Sequence, residues 1–170
     1  MLDTIDDDDV ILPHVWATHA RLQGSKVALV CEDMAVTWLD LNAAANRVAN
    51  TLLSMGAGRG ASVAVLMSNS IAMVEVMLGV IKAGACLVPL STMLSPDQVG
   101  RLLADSGAKV LFACEDTKAL AESCGSADDV RRIAADFAAS GWQPLGELLE
   151  AANDDEPRVR QHSTDPFNII

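Results

Sequence analysis

The sequence predicts an α/β fold in which βαβ units build a mainly parallel sheet flanked by helices. Three observations carry that expectation. "SVAVLM", Ser62 to Met67, is followed by an apolar helical stretch and then by "ACLVPL", Ala85 to Leu90. That second run is continuously apolar, as a strand covered on both faces must be. The alternation of strand and helix then continues through "KVLFA", Lys109 to Ala113, which is how parallel strands joined by helical crossovers are written. Finally, 51% of the 170 residues are hydrophobic but only 4% are aromatic, and Tyr is absent. A core of Ala, Val, Leu, Ile and Met follows.

Along the chain, Asp6-Asp7-Asp8-Asp9 lies in an acidic tail, 1–12, expected to be disordered because like charges repel. Metal binding is the alternative use of that run. Pro13 opens a helical pattern with Val15, His19 and Leu22 on one stripe, closed by Gly24. His14 and His19 are five apart, off any common helical face, and are expected at the surface or in packing rather than on a metal. "KVALVCEDMAVTW" predicts two strands around a Glu32-Asp33 turn. "TWLD", Thr37 to Asp40, matches a capping box. Leu41, Ala45, Val48 and Leu52 then form one buried stripe, with Asn42, Asn46, Arg47 and Asn50 off it and Gly56 ending the helix.

"GAGRG", Gly56 to Gly60, has the glycine content of a dinucleotide loop in the wrong context. Such a loop follows a strand and opens a helix, whereas this one follows a helix and precedes a strand. It is expected to be a plain turn. The helix from about Ser70 to Ala83 is apolar nearly all round, which predicts burial on most faces. Gly84 suits the left-handed position beyond a helix end, and Lys82 sits where the helix dipole favours a cation. Pro89 marks a strand end or an edge.

Ser95-Pro96-Asp97-Gln98 predicts a capped helix carrying Leu102 and Leu103 and ending at Gly107. A further helix is expected from Ser126, with Asp129, Val130, Ile133 and Phe137, ending at Gly141. A short helix spans Leu145 to Ala152. These boundaries give a subdomain over 13–152, a surface linker over 153–166 rich in Asp, Pro, Gln and Ser, and the start of another strand at 167–170.

Composition excludes several classes. A net charge of -11 repels phosphate backbones, so nucleic acid is not an expected partner. Ile71 to Leu90 is long enough to cross a bilayer, but it contains Glu75, Lys82, Gly84 and Pro89. A central Lys costs about 2.5–3.5 kcal/mol there, against about 0.3–0.6 gained per Leu, Ile or Val. No membrane span is expected. Cys31, Cys86, Cys114 and Cys124 form no CxxC pair and lack zinc spacing. With no signal peptide at the acidic N-terminus, a reduced, cytoplasmic protein is expected.

Four stretches together resemble the N-terminal part of the AMP-forming acyl-CoA synthetase superfamily, the adenylate-forming enzymes. They are "VTWLDLNAAANRVANTLLSMGAGRG", "VAVLMSNSIAMVEVMLGVIKAGACLVPLS", "LSPDQVGRLLADSGAKVLFA" and "DPFNII". The resemblance runs from about Val15 to Ile170 and implies part of that family's large N-terminal domain. It implies a parent enzyme that activates a carboxylic acid with ATP and magnesium, releases pyrophosphate, and transfers the acyl group to coenzyme A. Ser91 stands where amino-acid-activating domains often carry Asp, and "SNS" at 68–70 is more similar to the acid–CoA ligases. Fatty acids are the expected substrates.

Some ligases place a basic residue near the CoA phosphates where Thr92, Met93 and Leu94 stand here. The resemblance also puts the phosphate loop beyond Ile170, so the chain is expected to be an inactive piece of a longer enzyme. No catalytic or metal-ligating residue is assigned within it, and no cofactor is expected to bind it. Self-association through apolar surface is expected. An aryl-acid or amino-acid adenylating domain, and a non-catalytic α/β binding module, are the alternatives.

Overall fold

A computed structural model describes residues 12–125 and 129–170. The elements are α1 (Leu12–Gln23), β1 (Val27–Cys31), β2 (Met34–Thr37), α2 (Trp38–Ser54), β3 (Ser62–Leu66), α3 (Ile71–Lys82), β4 (Cys86–Pro89), α4 (Pro96–Ser106), β5 (Ala108–Ala113), α5 (Glu115–Ser123), β6 (Arg131–Ala134), β7 (Gln143–Pro144) and α6 (Leu145–Ala151). The strands β4-β3-β5-β6-β7 form one parallel sheet in that order, and β1 and β2 form a separate antiparallel hairpin. The expected α/β architecture is therefore present.

Side chains alternate across a strand, and the two sheet faces accordingly carry two cores. Val63, Val65, Leu87, Val110, Phe112 and Ile133 face α2 and α3 through Val48, Leu52, Val76 and Val80. Ala64, Leu66, Val88, Leu111 and Ala134 pack on the other side with Val99, Leu103 and Ala121 of α4 and α5. The sheet is thus covered on both faces, as its apolar strands require.

Helix ends follow their chemistry. The Ser70 hydroxyl accepts the Met73 amide, and Ser95 and Gln98 close a full capping box. Gly84 and Gly107 take positive φ, 73° and 62°, at the ends of α3 and α4. At Thr37 the hydroxyl accepts the Asp40 amide at 3.2 Å and donates to the Asp40 carboxylate at 2.6 Å. The acid thus reaches the hydroxyl of the cap.

Two expectations are corrected. The α1 stripe faces outward: Val15 and Leu22 are exposed, while Pro13 and Ala20 are buried and His19 stacks on Trp38 at 4.7 Å. The helix is turned by its packing on α2 rather than by its own apolar count. The helix expected from Ser126 to Gly141 is absent over its described part. Ser126 lies outside the described residues, and 131–134 form β6, with Ile133 opposite Phe112 of β5. Pairing with a strand distant in sequence has overridden a local i, i+3, i+7 pattern. A helix does occur nearby as α5, over a stretch assigned no element.

The segment expected as a surface linker, 153–166, contains no buried residue but is bonded to the body at several points. Beyond it, the Leu87 amide donates to the Phe167 carbonyl (2.9 Å) and the Ile169 amide donates to the Leu87 carbonyl (2.8 Å). Asn168 thereby makes a parallel bridge to β4. The acidic run Asp6–Asp9 lies outside the described residues, and Leu12, placed in the tail by sequence, begins α1.

Candidate functional site: the carboxyl ends of β3, β4 and β5

In an open parallel sheet, ligands bind beyond the carboxyl ends of strands where the crossovers diverge. The crossover after β3 leads to β4 on one side, and that after β5 leads to β6 on the other. The divergence therefore lies between β3 and β5. The chain fills this crevice with its own groups. The Thr117 hydroxyl donates to the Leu66 carbonyl at 2.6 Å and accepts the Cys114 amide at 3.1 Å. The Ser68 amide meets Cys114 Sγ at 3.3 Å. Cys114 is buried in this contact, so its thiol acts as a packing and accepting group.

The open space lies one strand over. A cleft of about 390 Å³ beyond β3 and β4 is lined by Met67, Ser68, Asn69 and Met73 on one side and by Pro89, Leu90, Ser91 and Thr92 on the other. The structure thus brings Ser68 and Asn69 together with Ser91 and Thr92, residues that the sequence singled out. Hydroxyl and amide groups line part of the cleft and apolar side chains the rest. Such a lining can position a partly polar ligand but offers no proton donor or acceptor that titrates near neutrality. Met93 projects beside it, 93% exposed. "GAGRG" precedes β3 and therefore lies at the opposite end of the sheet, as a turn.

A second polar constellation was missed at the level of sequence. Lys82 is 2% exposed. Its ammonium donates to Asn42 Oδ1 (2.8 Å), Asn46 Oδ1 (2.6 Å) and both carboxylate oxygens of Glu156 (3.0 and 2.7 Å). Asn42 and Asn46 also donate to Glu156 Oε1, and Asn50 donates to Asn153 and to the Asp155 carbonyl. Asn42, Asn46 and Asn50 recur every fourth residue, which places them in one row along α2. That spacing was the available signal. Burial pulls the Lys82 pKa down, and Glu156 offsets this only in part. Partial burial alone would raise the Glu156 carboxyl, but the hydrogen bonds from Lys82, Asn42 and Asn46 and the Lys82 charge together hold it below its ordinary value. Burial pushes the Cys86 thiol up, away from the reactive thiolate.

Magnesium and a triphosphate each need groups that the described residues do not bring together. No group of three or more His, Cys, Asp or Glu side chains among them could hold a metal ion. The cleft lining has no Lys or Arg for phosphate. The described residues therefore make neither site.

Comparison with known proteins gives a consistent picture. The family described as AMP-binding enzyme matches residues 16–170. The long-chain-fatty-acid–CoA ligase FadD13 of Mycobacterium tuberculosis is 34% identical over 138 residues, covering 81% of this chain and 27% of that protein. Surfactin synthase subunit 1 of Bacillus subtilis is 41% identical over 114 residues, 67% of this chain and 3% of that protein. Among solved structures, the N-terminal domain of FACL13 from Mycobacterium tuberculosis superposes with a TM-score of 0.80 at 30% identity, over 92% of this chain and 40% of that one. The chain therefore spans about a quarter of the fatty-acid ligase it matches.

Proposed function

Because the chain belongs to the AMP-binding enzyme family, we propose that it is the N-terminal part of an ATP-dependent carboxylic acid–CoA ligase acting on fatty acids. The observation that carries this reading is the 34% identity over 138 residues to a long-chain-fatty-acid–CoA ligase. In such a reaction the acid's carboxylate oxygen bonds to the α-phosphorus of ATP and pyrophosphate departs. The thiol of coenzyme A then bonds to the acyl carbon and AMP departs.

On this reading the chain supplies scaffold: a covered parallel sheet and the polar-rimmed cleft at its carboxyl ends. Residues beyond Ile170 supply the groups that hold ATP, magnesium and coenzyme A, and the chain by itself turns over nothing. The enzyme works in the cytoplasm, with its cysteines reduced. An adenylating domain for amino or aryl acids is the second reading, favoured by the 41% identity to a surfactin synthase subunit.

The deciding experiment takes the longer gene product containing this sequence and a panel of fatty, aromatic and amino acids. Acid-dependent pyrophosphate release followed by acyl-CoA formation with fatty acids is expected. Adenylation of amino acids without thioester transfer to CoA would favour the second reading, and silence with every acid would overturn both. The short chain alone should show neither activity.

A further inference from the structure

Residues 153–169 cross the body of the protein as a strap whose fastenings are polar. No residue from 152 to 170 is buried, so apolar packing contributes little to holding the strap down. Its named ion pairs are Arg47–Asp154, Lys82–Glu156 and Arg59–Asp165. In the first, both side chains are about half exposed, and such pairs contribute little. The third is bidentate, at 2.8 and 3.0 Å, and sits near the far end of the strap.

Lys82–Glu156 differs in kind. The lysine side chain is 1% exposed and the glutamate 50%, so the carboxylate can leave into water while the ammonium cannot follow. Past this point the strap places Gln161 Nε2 on the last carbonyls of α3, those of Ile81 and Lys82. It then lays Phe167 and Ile169 on β4 through two backbone hydrogen bonds.

We propose that the Glu156 carboxylate, seated on Lys82 between Asn42 and Asn46, is the latch of this strap. While it is seated, residues 167–169 lie along β4. When it is withdrawn, they leave β4 and the five-stranded sheet stays intact. A segment with no buried residue belongs to the low-stability end of a fold, where opening is local. The inference stands apart from the ligase reading, because it concerns only contacts within this chain.

The test is amide hydrogen exchange on the 170-residue chain carrying Glu156→Ala. Exchange at Leu87 and Ile169 should approach the rate of an unprotected amide, while the amides of Val63, Val65 and Val110 stay protected and accelerate only as far as the global loss of stability requires. Arg47→Ala cuts an exposed pair and should leave Leu87 and Ile169 within about twofold of wild type. Protection retained at Leu87 and Ile169 in Glu156→Ala, protection lost at all five amides, or an equal loss at Leu87 and Ile169 in Arg47→Ala would each overturn the latch. Should Glu156→Ala not fold, Lys82→Met with Glu156→Leu removes the carboxylate without stranding a charge. The same split between strap and sheet is expected there, and a strap that stays protected overturns the proposal.

Discussion

Lys82 and Glu156 are unequal partners, and two single substitutions should show it. Glu156→Ala leaves a buried ammonium with only two amide oxygens. Stranding a charge in a buried pair costs about 3–5 kcal/mol, and because Glu156 is half exposed the low end, about 3 kcal/mol, is expected. Lys82→Met leaves a carboxylate already half in water and still bonded by Asn42 and Asn46, so about 1–2 kcal/mol is expected. Urea denaturation midpoints decide, and the reverse order would refute the asymmetry.

The pair also sets an acid dependence. The Glu156 pKa is lower in the folded chain than its ordinary 4.5. Its contribution is therefore fully present above that value and is lost as pH falls through the lowered one. His14 and Arg21 of α1 share a surface hollow with Glu156, and Asp155 and Arg158 of the strap line another with it. Wild type should lose more stability than Glu156→Ala on acidification below about pH 4.5; parallel losses would remove Glu156 from the effect. The asparagine row was legible only as residues off the apolar stripe. Its partners in the strap lie more than a hundred positions away, and no local pattern reports them.

At the scale of elements, the contact of α2 with α3 turns on one glycine. A β-carbon at Gly79 would fall within the contact distance of Val48 Cβ and Cγ1, so the two helices approach as closely as they do because Gly79 has none. Gly79→Ala should destabilise by about 1–3 kcal/mol, the usual cost of overpacking, although alanine is the better helix former. A raised melting temperature would refute this.

Gly84, at the corner after α3, should tolerate Val still less well. Its φ of 73° disfavours side chains, and a β-carbon would stand 2.9 Å from Val159 Cγ1. A cost above about 1–2 kcal/mol is expected, with an unchanged denaturation midpoint as the refuting result. Helices with caps, such as those after Ser70 and Ser95, were legible because cap and stripe are both local. Residues 126–141 were not. Val130, Ile133 and Phe137 satisfy a helical period, while their actual partners, Phe112 for Ile133 and Trp142 for Phe137, can be known only once the sheet exists. The cleft beyond β3 and β4 was legible in its residues but not in their convergence, which needs the parallel register of Ser62 with Cys86.

For the molecule as a whole, the two cores leave parts of α1, the hairpin and the start of α2 less covered. Leu22, Val27, Val30, Met34 and Leu39, on α1, the hairpin and the start of α2, are 56–70% exposed. Exposed apolar groups of this number favour association. Sedimentation velocity should show a concentration-dependent shift towards larger species, and replacing Val30 and Met34 with Lys should suppress it. A monomer at every concentration would refute the expectation.

The asparagine row on α2 also has a length. From Asn50 to Asn42 the helix advances about 12 Å at 1.5 Å per residue. From Asn153 to Glu156 the strap passes those positions in three steps, about 10 Å even when fully stretched. The amide side chains close the difference, and the strap turns as it passes: the Asp155 amide donates to Asn153 Oδ1, and Asn50 reaches the carbonyls of both Asn153 and Asp155. The strap is therefore a ruler against α2, marked off by side-chain amides rather than by backbone tension. Deleting Asp155 would remove a carbonyl that Asn50 bonds and shift the strap's register against the row.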